Sequence, residues 1–122
     1  MPYYEGITEN IPTMDITTFT ALAEPNRLRI VELLRGGPLT VGEIAERLQL
    51  RQPQASKHLR VLLEAGLVEV EAVANRRNYN LRAEPFQALD DWLASYRSMW
   101  EERFDNLEHY LQKLQSKENK PD

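Results

Sequence analysis

The feature that most limits how this chain can fold is a change of hydrophobic period at Gly66. Before it, apolar residues recur every three or four positions; after it, they alternate. Thr40-Val-Gly-Glu43 is a capping box, in which the Thr40 hydroxyl and the Glu43 carboxylate each satisfy a backbone donor left free at a helix start. Ile44, Ala45 and Leu48 give a helix over 41–48 its buried face. The pattern breaks over 49–52, and Pro53 opens a second helix over 53–65. Ala55, Leu59, Leu62 and Leu63 are its core positions, and Gly66 is its left-handed cap. In Leu67-Val-Glu-Val-Glu-Ala-Val73, Val68 and Val70 alternate with Glu69 and Glu71, as along a half-buried strand. Ala74-Asn75-Arg76-Arg77 reads as a turn in which Asn75 tolerates positive φ, and Asn78-Tyr79-Asn80-Leu81 returns with Tyr79 and Leu81 inward.

Helices are expected on both sides of this block. Residues 1–13, with Pro2, Gly6 and Pro12, read as an irregular arm. Asp15 caps a short helix over 16–23 that turns Phe19 and Leu22 inward. Pro25 suits the first turn of the next helix, whose apolar stripe is Leu28, Ile30, Val31 and Leu34; Gly36-Gly37-Pro38 ends it. From Pro85 the pattern is again helical and long, with Phe86, Leu89, Trp92, Leu93, Tyr96, Met99, Trp100, Phe104, Leu107, Tyr110, Leu111 and Leu114 at steps of one, three or four. A helix over 86–114 is about 43 Å long. Residues 117–122 are expected to fray.

The fold class is therefore mainly α with a small two-stranded β wing: a winged helix-turn-helix over 14–84 with a long C-terminal dimerisation helix over 85–116. In that architecture the second helix of the pair enters the DNA major groove and the wing meets the backbone. On a helical wheel Gln54 and Lys57 point away from the Leu59 face, with His58 and Arg60 flanking it. Gln pairs with adenine, and Lys or Arg with guanine or phosphate. Charge is segregated in the same sense. The whole chain carries −4, yet residues 25–82 hold ten Arg/Lys against six acids, a local +4 that leaves −8 elsewhere. A basic middle suits phosphate binding, and equally a solvated surface on which charge has separated by chance.

Several blocks together resemble the ArsR-type bacterial repressors. They are Ala23-Glu-Pro-Asn-Arg-Leu-Arg-Ile-Val-Glu-Leu-Leu34, Thr40-Val-Gly-Glu-Ile-Ala45, Gln54-Ala-Ser-Lys-His-Leu59 and Leu62-Leu-Glu-Ala-Gly-Leu-Val68, within a resemblance covering 22–81. It implies a dimeric repressor released from DNA by a signal, with Gln54, Ser56, Lys57 and His58 facing the operator and Arg76 and Arg77 in the wing. Metal-sensing members carry Leu-Cys-Val-Cys-Asp-Leu where this chain has Leu39-Thr-Val-Gly-Glu-Ile44, so thiolate metal sensing is not expected. Arg51 stands where many relatives have a capping Ser; Arg cannot cap, so phosphate contact is the alternative.

The expected DNA-binding set is Arg51, Gln52, Gln54, Ser56, Lys57, His58, Arg60, Arg76 and Arg77. His58 has an alternative as a partly buried structural histidine, and Ser56, read as nearer the core side, as a local backbone donor. The expected dimerisation set is Phe19, Leu89, Leu93, Tyr96, Trp100, Leu107 and Leu114. Leu93, Trp100, Leu107 and Leu114 recur every seven residues, as a helix–helix seam would, although Arg103 interrupts the companion series. The aromatic stripe could instead line a ligand pocket, and Asp105, Glu108 and His109 are the only metal-like cluster, with acidic surface as the plainer reading. No cofactor, membrane partner or enzymatic activity is expected: the chain has no cysteine, no glycine-rich phosphate loop and no long apolar run. The partners expected are an inverted-repeat duplex operator and a second copy in the cytoplasm, with an effector of unknown identity. A winged helix that docks only other proteins is the competing reading.

Overall fold

The computed structural model describes residues 13–118. Seven elements follow in order: α1 (Ile16–Leu22), α2 (Pro25–Leu34), α3 (Val41–Leu48), α4 (Gln52–Glu64), β1 (Val68–Val73), β2 (Arg76–Leu81) and α5 (Ala83–Glu118). The expected arm lies almost wholly outside the described residues, as does most of the fraying tail; Lys117 and Glu118 are helical. The chain divides into two units, one over Met14–Leu89 and one containing residues 90–118.

The first unit is the winged domain. Its core is Ile30, Val31 and Leu34 of α2, Leu39, Ile44 and Ala45 around α3, Ala55, Leu59 and Leu62 of α4, and Leu67 and Val68 entering β1. Ala21 joins it from α1. Two sequence readings are corrected here. Leu28 is exposed rather than part of the α2 stripe, because Ile30, Val31 and Leu34 already fill the side facing α3 and α4. In α1 it is Thr18 and Ala21 that are buried, whereas Phe19 is half-buried; Leu22, also half-buried, packs against the core as expected.

Local chemistry fixes the joints. The Asp15 carboxylate accepts from the Thr17 N–H at 3.0 Å to start α1. Arg27 closes the end of α1, its Nε donating to the Ala21 carbonyl at 2.7 Å. Arg29 does the same for α3, donating to the Leu48 carbonyl at 3.2 Å. The helix pair turns at Gln49, whose φ of 56° and ψ of 43° are left-handed, while Leu50 N–H reaches back to the Ala45 carbonyl at 2.9 Å. Gly66 ends α4 in the same geometry, with Leu67 N–H on the Leu62 carbonyl at 3.0 Å.

β1 and β2 pair antiparallel, from Val68 opposite Leu81 to Val73 opposite Arg76. The connecting turn is only Ala74 and Asn75, and the positive φ falls on Ala74 (56°), not on Asn75. Arg76 and Arg77 are thereby strand residues. Adjacent strand residues project to opposite faces, so these two side chains leave the hairpin on opposite sides. A further pairing has no counterpart in the hydrophobic pattern: Leu39 exchanges two backbone hydrogen bonds with Tyr79, at 3.1 and 2.8 Å, tying the base of β2 to the segment before α3.

The second unit is the remainder of α5. That helix starts at Ala83, two residues ahead of Pro85, and its 36 residues give it a length of about 54 Å. None of its residues is buried. Leu93, Tyr96, Met99, Trp100, Phe104, Leu107, Tyr110, Leu111 and Leu114 are exposed large apolar side chains. The Arg103 guanidinium lies over the Trp100 ring, 5.2 Å from its centroid, so it extends the stripe as a cation on an aromatic face. No described helix is long and apolar enough to cross a membrane.

Candidate nucleic-acid interface

α4 presents two unlike faces. Ala55, Leu59 and Leu62 are fully buried, which fixes the roll of the helix, and Gln52, Gln54, Ser56, Lys57 and Arg60 are consequently exposed. Ser56 therefore lies on the outward side rather than near the core.

Arg51 is the N-cap residue and makes no side-chain cap, as a side chain without acceptors requires. The cap is supplied from the other direction: the Gln54 side-chain oxygen accepts from the Arg51 backbone N–H at 3.1 Å. Gln54 thus enters any interface with its oxygen already engaged and its amide N–H2 free to donate. Bidentate pairing with adenine uses both groups at once. That pairing requires the oxygen to share or release its cap.

His58 is half-buried, with Nδ1 3.7 Å from the Glu24 carboxylate. Glu24 is the N-cap of α2 and accepts from the Arg27 N–H at 2.9 Å. The histidine therefore faces α2 and not the outward side of α4, which is the geometry of the structural alternative.

The basic residues divide sharply by partner. Arg27 and Arg29 cap helices. Arg60 pairs with Glu64 at 3.5 Å, Arg82 with Glu84 at 3.6 Å and Arg76 with Glu43 at 3.2 Å. Arg47, Arg51, Lys57 and Arg77 are exposed and form no ion pair among the described residues. Sequence reasoning missed Arg47, although it left a signal: a cation in the last turn of α3, just ahead of the break. Glu43 does more than the capping that its spacing implies. Its Oε1 accepts from the Thr40 N–H at 3.1 Å, the Thr40 hydroxyl at 3.0 Å and Arg76 at 3.2 Å. The Thr40 backbone bond, then its hydroxyl, then Arg76 and Arg47 hold the Glu43 carboxyl below its usual value of 4.5.

The dimerisation candidates separate by unit. Phe19 and Leu89 are half-buried in the winged domain, whereas Leu93, Tyr96, Trp100, Leu107 and Leu114 stand exposed on α5. Asp105, Glu108 and His109 are also exposed there, and no group of three His, Cys, Asp or Glu residues able to hold a metal occurs among the described residues.

A helix pair with a left-handed turn, an amphipathic second helix and a two-stranded hairpin define a winged helix-turn-helix protein. A helix-turn-helix domain family matches residues 22–71. The transcriptional repressor SdpR of Bacillus subtilis is 31% identical over 78 residues, 64% of this chain and 87% of its own length. The transcriptional activator HlyU of Vibrio cholerae is 32% identical over 99 residues, 76% of this chain and 92% of its own. Among solved structures, the homodimeric winged helix-turn-helix DNA-binding domain of a possible ArsR-family transcriptional regulator from Mycobacterium bovis superposes with a TM-score of 0.57. It is 30% identical, covering 68% of this chain and 76% of that one. The chain belongs to the ArsR-type winged helix-turn-helix transcriptional regulators.

Proposed function

We propose that this protein is a dimeric, sequence-specific double-stranded-DNA-binding regulator of transcription, working in the cytoplasm as a repressor. The observation that carries the reading is the face of α4. Its first two turns expose Gln52, Gln54, Ser56 and Lys57 opposite a fully buried apolar face, beside Arg47, Arg51 and Arg77, which form no ion pair among the described residues. Such an arrangement gives base-edge contact from the helix start and phosphate contact from its flanks. The −4 net charge is no obstacle, since counterion release depends on local charge.

The apolar stripe of α5 supports the second half of the proposal. Five exposed members of the expected seam, on a helix with no buried residue, leave more apolar surface than a lone helix keeps in water, and a second copy supplies the same stripe. Two copies related by a two-fold axis read an inverted repeat with half-sites about one helical turn, or a multiple of it, apart. SdpR is named a repressor and HlyU an activator. Repression is the simpler action, because a dimer seated across a promoter excludes polymerase without any further contact.

The test is selection of bound duplexes from a random pool, then anisotropy titration of the winning site and a scrambled control at several salt concentrations. Gln54→Ala should cost about 1–3 kcal/mol on the selected site and little on the control. Arg77→Ala should weaken both alike and lower the salt slope by about one for each phosphate it ceases to neutralise. Failure of the wild-type protein to bind duplex DNA at low salt would hand the fold to the protein-docking reading.

A further inference from the structure

Of the two wing arginines, one is paired with an acid in a different element. Arg76 Nη2 lies 3.2 Å from Glu43 Oε1, 33 residues earlier in the chain. Arg77 lies on the other strand face, the one that carries Tyr79 and Leu81, beyond the end of the core. Surface ion pairs ordinarily contribute little, because two long side chains must be ordered to form one contact. This pair differs on one side. Glu43 is already immobilised by the Thr40 N–H at 3.1 Å and hydroxyl at 3.0 Å, so only the arginine has to be ordered. The wing is tied to the same stretch of chain a second time, at its base, by the Leu39–Tyr79 backbone pair. Two attachments, three residues apart on β2 and four apart around the start of α3, set both the position and the tilt of the hairpin.

We propose that Glu43 is a positioning residue for DNA binding: it captures Arg76, aims the wing from α3, and leaves Arg77 as the wing's phosphate contact. This rests on the DNA-binding reading given above. An arginine paired with a carboxylate is neutral as a unit and displaces no counterion on binding, whereas a released one displaces about 0.9. Salt dependence therefore separates the two wing arginines. Glu43→Gln keeps an acceptor for the Thr40 N–H while removing the charge that holds Arg76, so the helix cap survives the test.

Binding to a random duplex is measured by anisotropy between low and physiological salt for the wild type, Arg77→Ala, Arg76→Ala, Glu43→Gln and the double variant Glu43→Gln/Arg76→Ala. Arg77→Ala is expected to lower the slope by about 0.9 for each protomer on the duplex, Arg76→Ala to leave it unchanged, and Glu43→Gln to raise it by about 0.9 for each protomer. The double variant is expected to return to the Arg76→Ala slope. If Glu43→Gln raises the slope equally with and without Arg76, the acid acts only as a general repulsive charge and the proposal is overturned. A slope that falls on Arg76→Ala as much as on Arg77→Ala overturns it too, since both arginines then reach phosphate. Absence of any duplex binding by the wild type is a different result, and strikes the DNA-binding reading itself.

Discussion

Leu107 lies in the middle of the exposed stripe of α5, and its replacement tests the dimer most directly. Leu93, Tyr96, Trp100, Leu107 and Leu114 are 44, 45, 49, 52 and 40% exposed. Full burial of a large apolar side chain is worth about 2 kcal/mol, so covering the exposed half of each contributes about 1 kcal/mol. Five such residues on two protomers give about 10 kcal/mol, against an association cost of about 4–15 kcal/mol. With gain and cost so closely matched, one position matters. Leu107→Ala should remove about 1 kcal/mol per protomer, or about 2 kcal/mol per dimer, and raise the dimer dissociation constant about 30-fold. Leu107→Glu sets a charge on each side of the seam and should leave monomer at micromolar concentration. Asp105→Ala, two residues away and about 160° round the helix, is the control. Sedimentation velocity over a dilution series at fixed salt reads all three. A Leu107→Glu protein that sediments as a dimer, or an Asp105→Ala protein that dissociates as readily as Leu107→Ala, would refute the seam.

Three further outcomes follow from the winged unit. Thr40→Ala removes the acceptor for the Glu43 N–H and one of the three hydrogen bonds that hold the Glu43 carboxylate, and should cost about 1 kcal/mol in urea unfolding, with Thr40→Ser restoring most of it. Gln49→Gly should stabilise the fold by about 0.5–1 kcal/mol in the same assay, because glycine relieves the left-handed strain of the helix-pair turn at some cost in chain entropy. Glu43 has its pKa lowered in the fold, through Thr40 first and then Arg76 and Arg47, so its contribution is fully present above its ordinary 4.5 and is lost as pH falls through the lowered value. The stability gap between wild type and Glu43→Gln should accordingly be constant from neutral pH down to about 4.5 and narrow below it; a gap that widens with acid would reverse the sign of that shift.

What the sequence determined by itself was governed by neighbours within about one turn of chain, although not all of that was read correctly: the positive φ of the wing turn falls on Ala74 and not on Asn75. The Thr40–Glu43 cap, the Gly66 stop, the alternation through Val68 and Val70 and the outward direction of Gln54 and Lys57 are properties of helix and strand periods, and each was legible in the order of residues. The Gln54 bond back to Arg51 carries a local signal as well, a Gln three residues past the cap position, although the wheel marks that side chain only as a base contact. Elements meeting across space were not legible. That Leu28 stays outside follows from which side of α2 meets α3 and α4. That His58 turns to Glu24, Arg29 to Leu48, Leu39 to Tyr79 and Arg76 to Glu43 follows from packing that brings residues 19 to 40 positions apart into contact. Hydrophobic spacing states which side of an element is buried and says nothing about which polar groups border it. Arg60–Glu64 and Arg82–Glu84 are pairs that sequence spacing alone allows, whereas only the packed core, by fixing the roll of α4 and the reach of the wing, brought Arg76 to Glu43 and left Arg77 without an ion pair among the described residues.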